Sequence, residues 1–523
     1  MDEQEKIERL AHIRLIITEI LMFLAVIFLV GFLTLIVMGY SFNLREIGGS
    51  GDVVERSGLV QISSIPTGAT IYIDGEAPLL LSTNASRTML SGEHEISLAK
   101  GGYDGWKKTI NVVEGMMYRL NYPRLFKEER EPEEVVRFLN SVDTKDRLDR
   151  VEEDEAVKTY GGKLSFVSVS PNNENMVLVL DGLFYILNIN DNRPVLKVLE
   201  VPDTDGVNVV KVTTIDSVEW SGSSERMLAK INDKWVIVNI RDTKDTLWLD
   251  KIVKTNVMRD IKIESESGDR LLILNVAGEL MELSVRDKKL SETLLDGVEK
   301  FDNDGERIVY LTRAKIDSTA EALLSGESTN KEEWQVRAYR MGESESYVVK
   351  RFRLAENEEL GSLRLATMRY FQESYVGIAH EGEFEVYSKT GWVAEDEDMK
   401  KIYDSEFDAS IAEIKKRGKG MVFELQDRDG NVEIFDIEAM GITRVNATDT
   451  EWIDEYLRYR LADGKLSVLD YDGLNERVLV ESDAISGHTV AISGNNRWLY
   501  YFIDIKETET GQRGEVLVRE KIN

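Results

Sequence analysis

The chain has 523 residues, with 95 acidic residues against 65 lysines and arginines, a formal net charge of −30, and no cysteine. This negative charge repels the phosphates of DNA and RNA and argues against a nucleic-acid-binding protein. The lack of cysteine excludes disulfides, thiolate catalysis and cysteine-built zinc sites. The 4 histidines are scattered and form no HExxH motif, which argues against a histidine metal centre; they are His12, His94, His380 and His488.

The first predicted element is a helix over residues 20–40, an apolar run without a charged side chain. About 20 apolar residues in a helix are long enough to cross the hydrocarbon core of a bilayer. The sequence therefore predicts an uncleaved signal anchor at 20–40, in contact with the lipid bilayer, after a short cytoplasmic segment at 1–19. Three basic residues precede the run, Lys6, Arg9 and Arg14, and two follow it closely, Arg45 and Arg56; this small excess before the run favours a cytoplasmic N-terminus. The expected localisation is the cell membrane, single-pass, with the N-terminus cytoplasmic and the bulk of the chain extracytoplasmic.

Residues 59–125 have the pattern of short β-strands. Ile71 and Ile73 alternate with polar residues, and Asp74-Gly75 follows them where a tight hairpin turn is expected. The segment from Ser64 to Gly75 resembles the signature of the PEGA domain family, in which a Pro-x-Gly-Ala turn leads into a strand that ends in Asp-Gly. The loop at Glu76-Ala77-Pro78 departs from that pattern. The resemblance implies a small β-sandwich-like module of prokaryotic surface and envelope proteins, with a binding or spacer role and no assigned catalytic residues.

Residues 126–160 form a predicted charged linker. Glutamates and arginines surround a short apolar group at Val135-Val136, and a second mixed-charge run follows from Asp143 to Arg150. Such a composition favours a solvated helix or a flexible tether between two domains. A helix that binds a partner is the alternative.

Residues 161–523 contain a recurring unit of short apolar strands and polar turns. The clearest copy spans Phe166 to Leu187, and we count 8 copies at an average spacing of about 45 residues, which is typical of propeller blades. Stacked radially, such units cover one another's apolar faces. The predicted fold is therefore mainly β: a transmembrane helix, a PEGA-like module, and a seven- or eight-bladed β-propeller.

The turns of this repeat carry a second resemblance. Ser170-Pro171-Asn172 resembles the Ser-Pro-Asp-Gly turn of TolB-like and WD-type β-propellers. Degenerate versions of the same turn occur at Trp220-Ser221-Gly222 and Ile492-Ser493-Gly494. The apolar end of the chain, 514–518, is expected to pair with a segment near 157–160 and so close the ring.

Three Asp-x-Asp-Gly segments are the candidates for a metal-binding site in this sequence. They begin at Asp302, Asp427 and Asp470, and they fit either hairpin turns or calcium ligands. The sequence contains no nucleophile elbow, P-loop or dinucleotide fingerprint. No catalytic, cofactor-binding or metal-binding residue is assigned.

The tryptophans offer two further candidates. Most of them fall in or beside predicted strands and are expected in the core, but Trp392 and Trp106 are candidate binding residues because tryptophan faces stack on sugars. The polar insertion at 314–333 fits either a disordered loop or a projection toward a partner.

These patterns favour a membrane-anchored extracytoplasmic binding or scaffold protein that presents a propeller to an envelope or surface protein or glycan. No cofactor, nucleic acid or enzymatic activity is expected. Two alternatives remain: a propeller-based hydrolase or lyase acting on cell-wall glycan or peptide, and a cytoplasmic assembly scaffold.

Overall fold

The computed structural model describes two compact units, Met1–Glu129 with Asn523, and Arg130–Ile522. The residues whose placement is described are 3–37, 40–42, 54–77, 81–140, 157–254, 257–264, 266–313, 333–343, 345–353, 363–370, 373–380, 382–388, 399–406, 411–417, 421–445, 449–506 and 512–523.

The first unit begins with helix α1 (Glu3–Val37) and a short strand, β1 (Tyr40–Phe42). Among the described residues, no helix combines the length and apolar character that a bilayer crossing requires. This finding contradicts the predicted membrane-spanning anchor at 20–40 and the single-pass localisation in the cell membrane.

The rest of the first unit is built from two small sheets. Their strands are β2 (Val54–Ile62), β3 (Thr70–Ile73), β4 (Ala85–Leu90), β5 (Gly92–Ala99), β6 (Trp106–Val112) and β7 (Met117–Leu120). One sheet joins β1, β2 and β4, with β7 pairing parallel to β2, and the other has the order β3-β5-β6. The two sheets approach closely, since a Cβ on Gly58 of β2 would lie 2.7 Å from Cγ1 of Val112 of β6.

The predicted hairpin turn at Asp74-Gly75 is confirmed. Ile73 and Glu76 exchange both backbone hydrogen bonds, each 2.9 Å long, around the two turn residues. Asp74 and Gly75 have φ values of 51° and 81°. Positive φ at both central positions defines a type I′ turn, which glycine adopts without strain and whose twist matches that of the strands.

The second unit consists of eight sheets in the described residues, arranged in chain order. Their strand pairs are antiparallel except for one parallel pair at the edge of the last sheet. Sheet 1 comprises β10 (Leu164–Val169), β11 (Asn175–Leu180), β12 (Leu183–Asn188) and β13 (Lys197–Val198), and sheet 2 comprises β14 (Ile215–Trp220), β15 (Arg226–Ile231), β16 (Lys234–Asn239) and β17 (Leu247–Trp248). Sheet 3 comprises β18 (Met258–Ile263), β19 (Arg270–Asn275), β20 (Leu280–Ser284) and β21 (Lys289–Leu295), and sheet 4 comprises β22 (Val298–Asn303), β23 (Arg307–Arg313), β24 (Glu333–Arg340) and β25 (Ser346–Arg353). Short 3₁₀ helices at Thr243–Asp245 and Leu249–Lys251 flank β17.

Sheets 5 to 8 continue the same order. Sheet 5 comprises β26 (Arg364–Tyr370), β27 (Glu373–His380), β28 (Glu383–Ser388) and β29 (Lys400–Glu406), and sheet 6 comprises β30 (Ile411–Arg417), β31 (Val422–Asp427), β32 (Val432–Asp436) and β33 (Gly441–Val445). Sheet 7 comprises β34 (Thr450–Trp452), β35 (Leu457–Ala462), β36 (Lys465–Asp470) and β37 (Arg477–Glu481). Sheet 8 comprises β38 (Ala491–Ile492), β39 (Trp498–Lys506) and β40 (Arg513–Lys521) and is extended by β8 (Pro132–Leu139) and β9 (Lys158–Gly161).

Buried apolar clusters join each of sheets 1 to 5 to the next sheet and join sheet 8 to sheet 1, while polar side-chain contacts such as Arg458 with Glu424 join sheets 6 and 7. Val177 of sheet 1 shares a cluster with Met227 of sheet 2, and Phe384 of sheet 5 shares one with Phe423 of sheet 6. The cluster that closes the series brings Phe138 of sheet 8 together with residues of sheet 1. Successive sheets whose ends meet form a ring, so the propeller type of fold is confirmed by the chain's own packing.

The strand that closes the ring corrects the predicted linker at 126–160. β8 pairs antiparallel with β40, and β9 pairs parallel with β8, so the segment near 157–160 is one strand removed from the C-terminal strand that it was expected to meet. The charged side chains on the exposed face of β8 are the reason why its sequence resembles that of a solvated linker. On the opposite face, Val136 and Phe138 point into the core and are 2% and 1% exposed. Residues 141–156 of the predicted linker lie outside the described part of the chain.

The serine turns that resembled propeller turns share one hydrogen-bond pattern. The hydroxyl groups of Ser170, Ser221 and Ser493 each accept from the backbone N–H five residues later, at 3.0 Å in all three turns. The turns also touch one another, because Asn172 N–H donates to Ser224 Oγ at 3.0 Å and Gly494 N–H donates to the Asn173 carbonyl at 2.6 Å. The same local sequence therefore links sheets 8, 1 and 2 at one rim of the ring.

Candidate functional site

The first strands of sheets 2 to 6 bring polar side chains together on the inner side of the ring. First strands of neighbouring sheets approach one another there, as β22, β26 and β30 do. We call the resulting group the axial cluster; its members are Glu219 on β14, Lys262 on β18, Asp302 on β22, Thr367 on β26 and Lys416 on β30.

Asp302 is the hub of the axial cluster. Its side chain is 6% exposed, and its carboxylate accepts hydrogen bonds from Lys262 Nζ at 2.9 Å and from the Thr367 N–H at 2.8 Å. Lys416 Nζ lies 3.4 Å away. Burial alone would raise the pKa of Asp302, but Lys416 and Lys262 hold that pKa below its ordinary value. Asp302 is therefore ionised and fully compensated by its neighbours.

Lys416 ties three sheets together. Its ammonium group donates to the Asn303 carbonyl of sheet 4 and, at 3.3 Å, to the Thr367 carbonyl of sheet 5. Lys416 itself belongs to sheet 6, so its side chain passes sheet 5 to reach sheet 4. An ammonium group has three donors, and these two carbonyls and Asp302 account for them.

Glu219 differs from Asp302 because it lacks close compensation. Its carboxyl group accepts from the Ile263 N–H of the neighbouring strand β18, at the long distance of 3.4 Å. Burial raises the pKa of Glu219 to about 7, against the opposing effects of Lys262 and Lys416. Burial also raises the pKa of Asp260, which lies on β18 beside Lys262. A carboxyl that titrates near neutrality is suited to binding or exchanging a proton.

The titration of Glu219 makes stability depend on pH. Its pKa rises from 4.5 to about 7 on folding, so its stabilising contribution is complete below about pH 4.5 and is lost as the pH rises through about 7. We expect Glu219→Gln to be more stable than the parent at pH 8 by on the order of 2 kcal/mol, with a smaller difference at pH 5. Urea unfolding at both pH values measures this. The exposed Glu131→Gln is the control, and an equal effect of Glu219→Gln at both pH values would contradict the assignment.

The sequence contains a pattern that indicates the axial cluster. The segments Val218-Glu219-Trp220, Ile261-Lys262-Ile263 and Lys300-Phe301-Asp302 lie in the first strands of sheets 2, 3 and 4. Each places a charged residue next to the last position of its strand. A charge at the same place in consecutive repeats indicates a shared polar surface, because equivalent positions of a ring face the same axis.

The three Asp-x-Asp-Gly segments lie at hairpin connections. They follow or end β22, β31 and β36, and their carboxylates accept backbone N–H groups. Asp427 Oδ1, for example, accepts from Asp429 and Asn431 at 2.8 Å each. The turn interpretation is therefore confirmed. Within the described ranges, no group of three or more histidine, aspartate or glutamate side chains is placed to hold a metal ion.

One known family matches the part of the chain that forms the two small sheets of the first unit. Residues 57–125 match the model of the PEGA domain. This segment is a PEGA domain. It spans the two sheets and the Asp74-Gly75 turn, as the resemblance implied.

The PEGA domain uses its motif residues for structure. The carboxylate of Asp74 accepts from the Glu95 N–H and pairs with His94 Nδ1, both at 2.8 Å. The hydrogen bond with His94 holds the pKa of Asp74 below its ordinary value. The buried Ser64 and Thr83 hydroxyl groups meet at 2.6 Å under the Pro66 turn. These contacts fix the turn and the strands that leave it.

The two predicted binding tryptophans do not form a site. Trp106 is 1% exposed in the PEGA domain and packs edge-on against Tyr122 with a centroid distance of 6.0 Å. It is a core residue and presents no face to a sugar, so that candidate is wrong. Trp392 lies outside the described residues, as do residues 314–332 of the polar insertion predicted at 314–333.

The chain matches no curated protein. Among solved structures, it is similar to the C-terminal WD40 domain of Sif2, with 10% identity, a TM-score of 0.39, and coverage of 74% of this chain and 97% of that one. An oligogalacturonate lyase in complex with manganese has 11% identity, a TM-score of 0.38 and coverage of 69% and 98%. Dipeptidyl peptidase 4 of Porphyromonas gingivalis has 11% identity, a TM-score of 0.41 and coverage of 68% and 58%.

Proposed function

We propose that the protein is a binding or scaffold protein in which an eight-bladed propeller and a PEGA domain present surfaces to a partner. Each of the eight sheets is taken as one blade, and β8 closes the last of them. The partner class predicted from the sequence, an envelope or surface protein or a glycan, is kept as part of this proposal.

One observation carries the proposal: the central polar residues are held rigidly by bonds among themselves. Asp302 and Lys416 link sheets 4, 5 and 6 through side-chain and backbone groups. Polar groups whose rotamers are fixed in advance recognise a ligand at low entropic cost. Such an arrangement supports recognition at the ring axis by charge and shape.

The proposal is tested by measuring the binding of the full-length chain to a panel of purified surface proteins, peptides and glycans. Binding of each panel member to the chain and formation of any product are measured in the same samples. We expect saturable binding of at least one class without turnover. The variant Lys262→Met, which removes an axial charge, is expected to weaken that binding, whereas Lys415→Met on the same ring is the control. Absence of saturable binding to every class would contradict the proposal.

A second candidate function is hydrolysis or elimination on a glycan or peptide. It is favoured by Glu219, whose pKa of about 7 suits a general acid or base. Product formation that is abolished by Glu219→Gln, with folding intact, would support this function over simple binding.

A further inference from the structure

We propose that Asn84 of the PEGA domain is an N-glycosylation site, at which the Nδ2 atom of the side-chain amide receives a glycan. The acceptor segment is Asn84-Ala85-Ser86, an Asn-x-Ser motif without proline at its middle position. This assignment adds a covalent modification to the molecule and does not depend on the partner that the ring or the PEGA domain binds.

The acceptor side chain and the hydroxyl group of the motif are both accessible. Asn84 and Ser86 are exposed, whereas Ala85 between them is half-buried and Thr83 before them is buried. This alternation is that of a strand, in which side chains two positions apart lie on the same face. An enzyme that reads Asn-x-Ser therefore meets the amide and the hydroxyl group together on the solvent side.

The residue before the motif is fixed in the domain. The Thr83 N–H donates to the Ala69 carbonyl at 2.9 Å, and Thr83 Oγ1 accepts from the Ala69 N–H at 3.0 Å. The same hydroxyl group meets the Ser64 hydroxyl group at 2.6 Å. A glycan on the exposed side chain of Asn84 leaves these buried contacts in place, so the folded PEGA domain is able to carry it.

The motif lies at the start of an edge strand. β4 pairs with β2, and no strand of the described residues pairs with its other side. An open edge is a template for pairing with another chain, and proteins commonly cover or blunt such edges. Leu90 at the far end of β4 adds apolar surface, since it is 42% exposed. A glycan is bulky and solubilising, so one attached at Asn84 would shield the edge where β4 begins.

The transfer reaction requires a sugar donor that carries a diphosphate leaving group at C1. A bond forms between Nδ2 of Asn84 and C1 of the sugar, and the bond from C1 to the diphosphate oxygen breaks. The leaving group keeps the electron pair of the broken bond, and the amide nitrogen gives up one of its two protons to a base. Two kinds of donor have this chemistry, a lipid-linked diphosphate oligosaccharide and a nucleoside diphosphate sugar.

The test is peptide mass spectrometry of the full-length chain isolated from the cells that naturally produce it. Trypsin releases the motif on the peptide 57–87, in which Asn84 is the only asparagine. We expect this peptide to carry the added mass of one or more sugar residues, with fragmentation placing that mass on Asn84. Asn84→Gln and Ser86→Ala are expected to abolish the modification, whereas Ser86→Thr, which keeps the hydroxyl group, retains it.

The matched control is Asn111→Gln. Asn111 is an exposed asparagine on β6 of the same domain, but Val113 stands two positions after it and supplies no hydroxyl group. This variant is expected to leave the modification of the peptide 57–87 unchanged. The motif occurs once more in the sequence, at Asn446-Ala447-Thr448, which lies outside the described residues. Trypsin releases it on a separate peptide, so Asn84 is measured independently of it.

The donor is identified with full-length chain produced in cells that do not glycosylate asparagine. One sample receives a lipid-linked diphosphate oligosaccharide with a membrane oligosaccharyltransferase, and the other receives UDP-glucose with a soluble asparagine glucosyltransferase. We expect transfer to Asn84 in one of the two samples, and that sample names the source of the sugar. Transfer in neither sample would contradict an accessible acceptor.

Three results with the natural chain would overturn the inference: an unmodified peptide 57–87, a modification that survives Ser86→Ala, or sugar placed on a serine or threonine of that peptide. Urea unfolding of each variant checks that loss of the modification does not come from loss of the fold. Because Ser86→Thr restores the motif at the same position, its modification separates recognition of the hydroxyl group from any effect of the substitution itself.

Discussion

Replacing Phe138 with alanine is expected to lower the free energy of unfolding by about 3–5 kcal/mol. Phe138 lies on β8, is 1% exposed, and packs against Phe502 of β39 with a ring-centroid distance of 6.4 Å. It belongs to the cluster that joins the last sheet to the first, together with Met176 and Leu178. A cavity at this position weakens the junction on which ring closure depends.

The control for this prediction lies on the same strand. Glu134→Ala removes an exposed ion pair with Arg137 and is expected to cost less than about 1 kcal/mol. Urea unfolding followed by tryptophan fluorescence measures both variants. If Phe138→Ala costs no more than Glu134→Ala, then β8 does not stabilise the ring as described.

The second large effect is expected from Arg458→Met, at about 3–5 kcal/mol of destabilisation. The Arg458 side chain is 1% exposed, and its Nη1 donates to Glu424 Oε2 at 3.0 Å across sheets 6 and 7. The Trp452 indole N–H also donates to Glu424, at 2.5 Å, and the Arg458 guanidinium lies 4.8 Å from the centre of the Trp452 ring. Removing Arg458 takes the closer cation from the buried carboxylate, because the Arg417 guanidinium lies farther away, at 3.8 Å.

A double variant distinguishes loss of the ion pair from loss of packing. Arg458→Met combined with Glu424→Leu removes both charges and is expected to recover about 2 kcal/mol relative to Arg458→Met alone. The more exposed pair Arg460 and Glu476, 3.0 Å apart, supplies the control Arg460→Met, with an expected cost below about 1 kcal/mol. A double variant less stable than Arg458→Met would contradict a dominant electrostatic cost.

Local patterns predicted the features that depend on local forces. The type I′ turn at Asp74-Gly75 follows from the conformational freedom of those two residues. The strands from Phe166 to Leu187 follow from period-two alternation and the intervening turns. The serine turns follow from hydroxyl groups that bond to their own backbone, as Ser170 does.

Long-range contacts explain most of what the sequence did not predict. The pairing of β8 with β40 joins residues such as Glu133 and Arg519, which are 386 positions apart. Lys416 and Asp302 are 114 positions apart. No local pattern specifies which distant strand or charge a side chain will contact. The pairing of β8 within the predicted linker and the contacts of the axial cluster are therefore visible only in the folded structure.

Trp106 shows a different limit. Its aromatic face suits both a sugar-binding platform and a β core, and residue type alone does not distinguish the two. Its place on β6, where buried and exposed residues alternate, determines that it points inward. The predicted anchor at 20–40 rested on apolar composition alone, and the helix finding contradicts it.

The most direct test of ring closure is a disulfide between β8 and β40. The chain has no cysteine, so Glu133→Cys with Arg519→Cys gives a single defined pair at positions that are partners in the strand register. We expect the full-length monomer to form this crosslink under mild oxidation, seen as a shift on a non-reducing gel. The control pair Glu133→Cys with Arg513→Cys, at the other end of β40, should not react. No crosslink at 133 and 519, or equal crosslinking of the control, would contradict a ring closed by β8.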